Sequence, residues 1–272
     1  MPEPNVEQRR AWGGPAGDYW AAHADRYDAG VAAYADAFAA GAAVAPGELV
    51  LDIGCGAGGT TRDAATAAAP GGHAHGIDLS PRLVELARER AADVSNATFA
   101  VADAQVADLG AAGTDVVISR HGVMFVDDPA ALLANLRRAL RPGGRLALLV
   151  WQQCDRQEWL PSFLDALGAP YPPADRPSPV AFGDPDRVYR LLTGAGFTAV
   201  EQDDLHRPMW FGTDAGDAAA FIGGQFAGAL EDRPDDERRR AERALHEVMA
   251  AHEGPDGVTF GSACRLIRAT RP

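Results

Sequence analysis

Apolar positions along this 272-residue chain change period more than once. Over residues 1–45, Trp12, Tyr19, Trp20, Tyr27, Tyr34 and Phe38 recur at near-helical spacing, which predicts a helical, aromatic segment. Gly13-Gly14-Pro15 breaks it ahead of a helix, and Pro46-Gly47 ends it. Residues 47–54, GELVLDIG, then form a short apolar run closed by turn residues, the pattern of a buried strand. A helix at about 59–69 stops at Pro70-Gly71-Gly72, and HAHGIDLS (73–80) is a second strand. Ser80 and Pro81 supply an N-cap and first helical position, with Glu85 early in the helix. The third strand is expected in 97–104 and the fourth within 115–125. A helix should run from Asp128-Pro129 to about 140, and RPGG at 141–144 turns into a fifth strand, RLALLVW.

Strands alternating with helices over 48–151 give an α/β fold: a parallel sheet, right-handed crossovers, helices on both faces. After 151 the rhythm is interrupted. A helix is expected over 156–168, a proline-rich loop over 171–182, and a helix over about 184–195 ending at Gly196. A sixth strand should cover FTAVEQDDL (197–205), mostly helix 210–252, and a last strand 257–271. The pattern implies one domain over 1–272. Residues 1–45 form a helical lid and 46–151 the core. Residues 152–272 hold the last two strands and substrate-side insertions at 153–182 and 210–252.

Charge narrows the function classes. The net charge is −13, and all 25 basic residues are arginine, so no mechanism needing a lysine applies. Such acidity argues against an extended nucleic-acid or anionic-membrane surface. No apolar run approaches ~20 residues, and the N-terminus lacks an apolar signal region. Cys55, Cys154 and Cys264 are far apart and form no zinc spacing, so no metal centre is expected and the thiols read as reduced. A cytoplasmic protein, monomeric or homodimeric, with a small-molecule substrate is the expectation.

Candidate chemistry centres on Asp52-Ile53-Gly54-Cys55-Gly56-Ala57-Gly58-Gly59. Glycines allow a tight turn and close ligand approach, and the following helix aims its N-terminal amides at the ligand. Gly54, Gly56 and Gly59 satisfy G-x-G-x-x-G, so a dinucleotide and S-adenosylmethionine (SAM) both remain open. Asp52 repels a pyrophosphate but suits a ligand carrying an ammonium and a sulfonium. Asp78 closes the second strand, 22 residues past Gly56, where a carboxylate can take ribose hydroxyls. Asp103-Ala104 ends the third strand, where an adenine amino group can be accepted. All lie at carboxyl ends of parallel strands, where such sheets bind ligands.

VLDIGCGAGGTT (50–61), GIDLS (76–80), ADAQ (102–105), DVVISRHGVMF (115–125) and LRPGGRLALLVW (140–151) resemble, in order, the motifs of class I SAM-dependent methyltransferases. The likeness is to the small-molecule type that includes quinone-biosynthesis enzymes, and it covers about 45–151. It implies a Rossmann-like seven-stranded sheet with the last strand antiparallel. It implies Gly54, Gly56 and Gly58 facing the methionine part of SAM, Asp78 on the ribose, and Leu79, Asp103 and Ala104 at the adenine. The backbone carbonyl of Ser119 or Arg120 would meet the SAM amino group, and S-adenosylhomocysteine (SAH) would be the product.

Methyl transfer is an in-line displacement that needs alignment and, for a protonated nucleophile, a base. His121, just past the fourth strand, is the leading base candidate, and His23 is the second. His206, His246 and His252 have no motif context. Trp12, Tyr19 and Trp20 flank the GGPAG hinge, and Trp20 is expected over the cationic cofactor. Trp151, Trp159, Phe163, Phe182, Met209, Trp210, Phe211, Phe221 and Phe226 suit a pocket for an aromatic or apolar acceptor. The expectation is methyl transfer to O, N or C of a small molecule, in secondary metabolism or quinone synthesis. A SAM-bound cyclase-type catalyst and a nicotinamide-dependent oxidoreductase are the alternatives. Asp52 and ADAQ count against the second.

Overall fold

Helical pieces come first in the computed structural model, which describes residues 4–272. They are α1 (Val6–Trp12), α2 (Pro15–Ala22), α3 (Ala24–Gly30), a 3-10 turn (Ala32–Tyr34) and α4 (Ala35–Ala42). The break between α1 and α2 falls at Gly13-Gly14, and Pro15, whose missing N–H costs nothing there, opens α2.

Strands β1 (Leu49–Ile53), β2 (His73–Asp78), β3 (Ala97–Val101), β4 (Thr114–Arg120) and β5 (Leu140–Trp151) follow. Between them lie α5 (Gly59–Ala68), α6 (Pro81–Arg90) and α7 (Pro129–Ala139). Ser80 and Asp128 cap α6 and α7 with side-chain oxygens, each ahead of a proline at the first position. Then come α8 (Trp159–Leu167), α9 (Pro185–Gly194), β6 (Thr198–Gly212), α10 (Ala215–Gln225), α11 (Ala227–Leu230), α12 (Asp235–Ala251), β7 (Glu253–Gly254) and β8 (Gly257–Thr270).

The sheet order is β3-β2-β1-β4-β5-β8-β6. Strands β1 to β5 are parallel, and β8 runs antiparallel between β5 and β6. This is the expected seven-stranded sheet, with β7 added as a two-residue hairpin arm on β8. Val116-Val117-Ile118 and Leu146 to Val150 are buried on both faces, which is why those strands read as unbroken apolar runs.

Strand β5 takes in the RPGG expected as a turn before it, and the larger difference from expectation lies in β6. Residues 206–212 continue β6, paired with β8 through Val258, where helix was expected from 210. Met209 and Phe211 turn to the core while Trp210 is partly exposed, an alternation of period two masked by Pro208. Proline is tolerated because β6 is an edge strand. Phe163, Phe211 and Phe260 meet edge to face, with centroids 4.9 to 5.4 Å apart, and anchor α8 to the β6–β8 end.

The strand order reverses between the neighbours β1 and β4, since the chain runs outward from β1 through β2 to β3 and from β4 through β5 toward the other edge. Their carboxyl ends open a crevice there, the position at which doubly wound sheets take ligands.

Candidate active site

The crevice is a cavity of about 230 Å³ between the carboxyl ends of the strands and the N-terminal helices. Its floor is the β1–α5 loop, with Gly54, Gly56 and Gly58 all at positive φ (67°, 53° and 83°). A Cβ on Gly54 would lie 2.6 Å from Gly122 Cα, and one on Gly122 would lie 2.5 Å from the Ile53 carbonyl oxygen. Two loops thus cross at a distance that only a pair of glycines permits. Gly56 faces open space and donates its N–H to Asp78 Oδ2 at 2.9 Å. Gly58 instead backs onto Ala87 and Phe99, away from the cavity, and Gly59 takes its place on the wall beside Asp28 and Arg120.

Asp78 holds the centre. Its Oδ1 accepts from Ser80 N at 2.8 Å, so two backbone amides fix the carboxyl group on the cavity wall. Burial pushes its pKa up, and the amides of Ser80, Gly56 and Leu79 oppose that. Each carboxylate oxygen can accept a second hydrogen bond, so a ribose hydroxyl fits. Leu79 and Ala104 line the same wall.

Asp52, expected against the ligand, is fully buried beneath the loop and forms no part of the cavity wall. Its Oδ2 accepts from Thr60 at 2.6 Å and Thr61 at 2.7 Å, and Oδ1 has no hydrogen-bond partner. Burial raises its pKa to about 6, against the pull of the two hydroxyls and Arg120. Asp52 therefore ties β1 to the first turn of α5 and acts on the cavity only through its charge.

The Ser119 side chain is structural as well, which leaves its backbone carbonyl as the group expected to face a ligand. Its hydroxyl donates to the Ile53 carbonyl at 2.7 Å and accepts from Val123 N at 3.3 Å, pinning the β4 loop to β1 outside the cavity wall. Asp103 does line the cavity, but its oxygens are already engaged. Asn5 Nδ2 donates to both, at 2.8 and 3.0 Å, with Arg9 at 3.2 Å and Gln105 N at 3.0 Å. The expected adenine acceptor therefore also clasps the start of the N-terminal helices.

The roof is aromatic. Trp20 stacks on Tyr27 (3.5 Å, 5°) and meets Trp12 edge-on at 5.5 Å, and Trp12 meets Phe125 at 5.4 Å. Tyr27 lines the cavity with a buried hydroxyl that has no hydrogen-bond partner. Tyr19 and His23 stack on each other outside the wall, which removes His23 as a base. Of the remaining candidates Trp151, Trp159, Met209, Phe211 and Phe221 line the cavity; Phe163, Phe182, Trp210 and Phe226 do not.

His121 adopts the left-handed conformation (φ 60°) that re-aims the chain past β4. Its ring lies flat on Trp151, centroids 4.1 Å apart, with Nε2 3.4 Å from Cys264 Sγ. Burial, helped by the Arg120 charge, lowers its pKa to about 3, so the imidazole is neutral at physiological pH.

Sequence reasoning missed Asp28, Arg120 and Gly122. Arg120 Nη2 reaches Asp28 Oδ1 at 2.6 Å across the N-terminus of α5, and both line the cavity. Arg120 sat inside a recognised motif, yet only its carbonyl was considered. Asp28 reads, in isolation, as an ordinary helix-face carboxylate. The charged cavity side chains are Asp28, Asp78 and Asp103 against Arg120, with Asp52 behind them. That excess of carboxylates fits a cationic donor with a ribose and a zwitterionic end, and opposes a pyrophosphate.

Known proteins agree with this geometry. A family profile described as a methyltransferase domain matches residues 51–148. Nocamycin O-methyltransferase of Saccharothrix syringae is 30% identical over 236 residues, covering 79% of this chain and 83% of that protein. Aklanonic acid methyltransferase of Streptomyces sp. (strain C5) is 38% identical over 103 residues, 37% of this chain and 47% of that one. Several other relatives match only such a core stretch, and the chain spans less than half the length of the first of them, 28% for the arsenite methyltransferase of Halobacterium salinarum. The fold is shared with the YcgJ protein of Bacillus (TM-score 0.57, 18% identity, 85% of this chain and 94% of that one). It is also shared with the [4+2]-cyclase SpnF (TM-score 0.53, 18% identity, 87% and 80%), so the fold alone does not choose between methylation and cyclisation. The motif order, the sheet and a relative matched over most of both chains converge: this chain belongs to the class I SAM-dependent methyltransferases.

Proposed function

We propose that the chain, as one domain over 1–272, transfers the SAM methyl group to a hydroxyl of a neutral, largely aromatic small molecule. The carrying observation is the segregation of the cavity along the sheet order. Its charged side chains sit over β3, β2 and β1 and at the β4 end, whereas Trp151 of β5 and Met209 and Phe211 of β6 make an uncharged aromatic end. Asp78 would hold the ribose hydroxyls and Leu79 and Ala104 the adenine. Gly54, Gly56, Asp28, Arg120 and the Ser119–Arg120 carbonyls would hold the methionine part. Trp20 would cover it. Bound there, SAM supplies an electrophilic methyl group on a sulfonium. The chain aligns the acceptor, excludes water under the aromatic roof, and offers neutral His121 to the acceptor's hydrogen. A hydroxyl is favoured over N or C because neutral imidazole accepts hydrogen bonds and because nocamycin O-methyltransferase is matched over 79% of this chain and 83% of its own length. Cytoplasmic location and a monomeric or homodimeric state belong to the same proposal; among the described residues no helix is long and apolar enough to cross a membrane.

The test is calorimetric titration with SAM, SAH and NAD, then incubation with methyl-labelled SAM and a panel of phenolic and enolic aromatics. SAH binding and a labelled methyl ether are expected. Binding of NAD alone overturns the cofactor. SAM bound with an acceptor rearranged but not methylated overturns the reaction in favour of cyclisation.

A further inference from the structure

The uncharged end of the cavity carries two indole N–H groups with different fates. Trp151 and Trp159 are both buried and both line the wall. Trp159 Nε1 donates to Gln157 Oε1 at 3.1 Å, so the fold uses it. Trp151 Nε1 has no hydrogen-bond partner among the described residues, although a buried tryptophan N–H ordinarily finds one. Nor is it sealed off, as the Tyr27 hydroxyl is. Trp151 is 6% exposed, and the open space it borders is this cavity.

An indole N–H donates and cannot accept, so it calls for a lone pair. The neighbouring rings of Tyr34, His121 and Trp159, with centroids 4.1 to 6.1 Å away, pack against Trp151 without supplying one. Gln225, another polar side chain at this end, is exposed and can turn to water. Water can also serve Trp151 while the cavity is empty. A molecule that fills this end displaces that water and must replace its hydrogen bond or lose affinity. In the reading above the polar groups of SAM go to Asp78, Asp28 and Arg120, so the acceptor has to supply the lone pair.

His121 places a second oxygen beside the first. Its ring lies flat on Trp151, at an interplanar angle of 8°, so the two rings offer their edges one stacking distance apart. An acceptor with oxygens on neighbouring carbons can meet both. Burial and the Arg120 charge hold the imidazole at a pKa of about 3, a weak base for an ordinary alcohol or phenol. A hydroxyl conjugated to a carbonyl is more acidic, because the charge it leaves spreads onto the carbonyl oxygen. A donor at that oxygen strengthens the effect.

We propose that the Trp151 N–H is a specificity-determining donor for a carbonyl oxygen of the acceptor. The substrate class is then a hydroxyl conjugated to a carbonyl: the enol of a dicarbonyl, or a phenol ortho or peri to a ketone. This rests on the methyl-transfer reading above. In the step the hydroxyl oxygen bonds the methyl carbon, the carbon–sulfur electron pair stays on sulfur, and the proton passes to the His121 imidazole and from there to water. The carbonyl keeps its hydrogen bond from Trp151 throughout.

The test uses SAH-saturated protein and two probes that differ only in the carbonyl, ortho-hydroxyacetophenone and ortho-ethylphenol. Calorimetry should show the ketone bound about tenfold or more tightly than the phenol. In Trp151→Phe, which keeps a ring against His121, the ratio should fall to within about twofold. Indole ¹⁵N spectra give a second readout, with the Trp151 signal assigned by its loss in Trp151→Phe. In the native protein that N–H should move downfield with the ketone and not with the phenol. Equal affinities, no measurable binding of either probe, an unmoved Trp151 signal, or a preference that survives in a SAH-binding Trp151→Phe overturns the proposal and leaves methyl transfer untouched. Failure of SAH to bind overturns the earlier reading instead.

Discussion

The two ends of the cavity are built by different means. At the β1–β2 end the binding groups come from one short stretch of chain: loop glycines, the first turn of the helix that follows, and the aspartate that ends the next strand. At the β5–β6 end they come from pieces far apart in the chain, Tyr27, Trp151, Phe211 and Phe221 among them. A local motif carries its geometry with it, because the tight turn and the helix N-terminus are properties of adjacent residues. A wall assembled across 200 residues carries no such signature. The cofactor is therefore legible and the acceptor is known only by the chemical character of its pocket.

The strongest way to break this contrast is Gly122→Ala. Gly122 lies in the loop after β4, yet it completes the glycine loop from outside, and its Cβ would lie 2.5 Å from the Ile53 carbonyl. Backbone atoms cannot yield as a side-chain tip does, so the two loops must separate. We expect SAH affinity to fall by about 100-fold or more, roughly 3 kcal/mol, measured by calorimetry. Unchanged affinity would mean that the crossing does not shape the cofactor loop.

Asp78→Asn comes next. The amide cannot serve both backbone N–H groups as the carboxylate does, and it loses the charge that takes ribose hydroxyls. SAH affinity should drop about 10- to 30-fold, near 1.4–2 kcal/mol, in the range of charge-assisted hydrogen bonds. Loss of affinity for an acceptor with SAH binding intact would move Asp78 to the other end of the cavity.

These sites also show where motif reading goes astray. Asp52 and Gly58 are in the motifs, but the Asp52 side chain and the Gly58 Cβ direction build the loop from behind: Asp52 on Thr60 and Thr61, Gly58 against Phe99. Sequence spacing tells which residues meet at a strand end; it does not tell which of them turn toward the ligand. Most elements were legible for the same local reason, from Ser80-Pro81 and Asp128-Pro129 to the runs of β4 and β5. The continuation of β6 to Gly212 was not, since the long-range partner β8 decides it.

Asp52 offers a smaller, pH-dependent effect. Its folded pKa is about 6 against an ordinary 3.8, so between pH 6 and 4 the folded protein binds a proton that the unfolded chain does not. Stability from this group therefore rises as pH falls through 6 and is fully gained below about 4, by at most ~1.4 kcal/mol per unit of pKa shift. Asp52→Asn should abolish that rise. The check is the difference in urea midpoint between the two proteins at pH 7.5 and pH 5, with the native protein gaining relative to the variant. A constant difference would show Asp52 ionised throughout, as a residue facing a cationic ligand or solvent would be.

The least effect, and the sharpest on the contrast, is expected from Asn5→Ala. Helix α1 has no buried residue, so its side-chain packing holds it weakly. Asn5 fastens its start: it donates to both Asp103 oxygens and exchanges two hydrogen bonds with Asp127, whose carboxylate accepts from Asn5 N at 2.6 Å and whose amide donates to Asn5 Oδ1 at 2.7 Å. Truncation removes the side-chain bonds but keeps the backbone one. If Asn5 secures the roof over the cofactor, SAH should dissociate about threefold faster, corresponding to less than ~1 kcal/mol, because Arg9 and the Gln105 amide still serve Asp103 after truncation. If Asn5 instead occupies the place that the adenine amino group needs on Asp103, the variant should bind SAH more tightly. The two signs separate a roof that belongs to the cofactor end from a clasp that the cofactor must displace, and stopped-flow dissociation with calorimetry reads both.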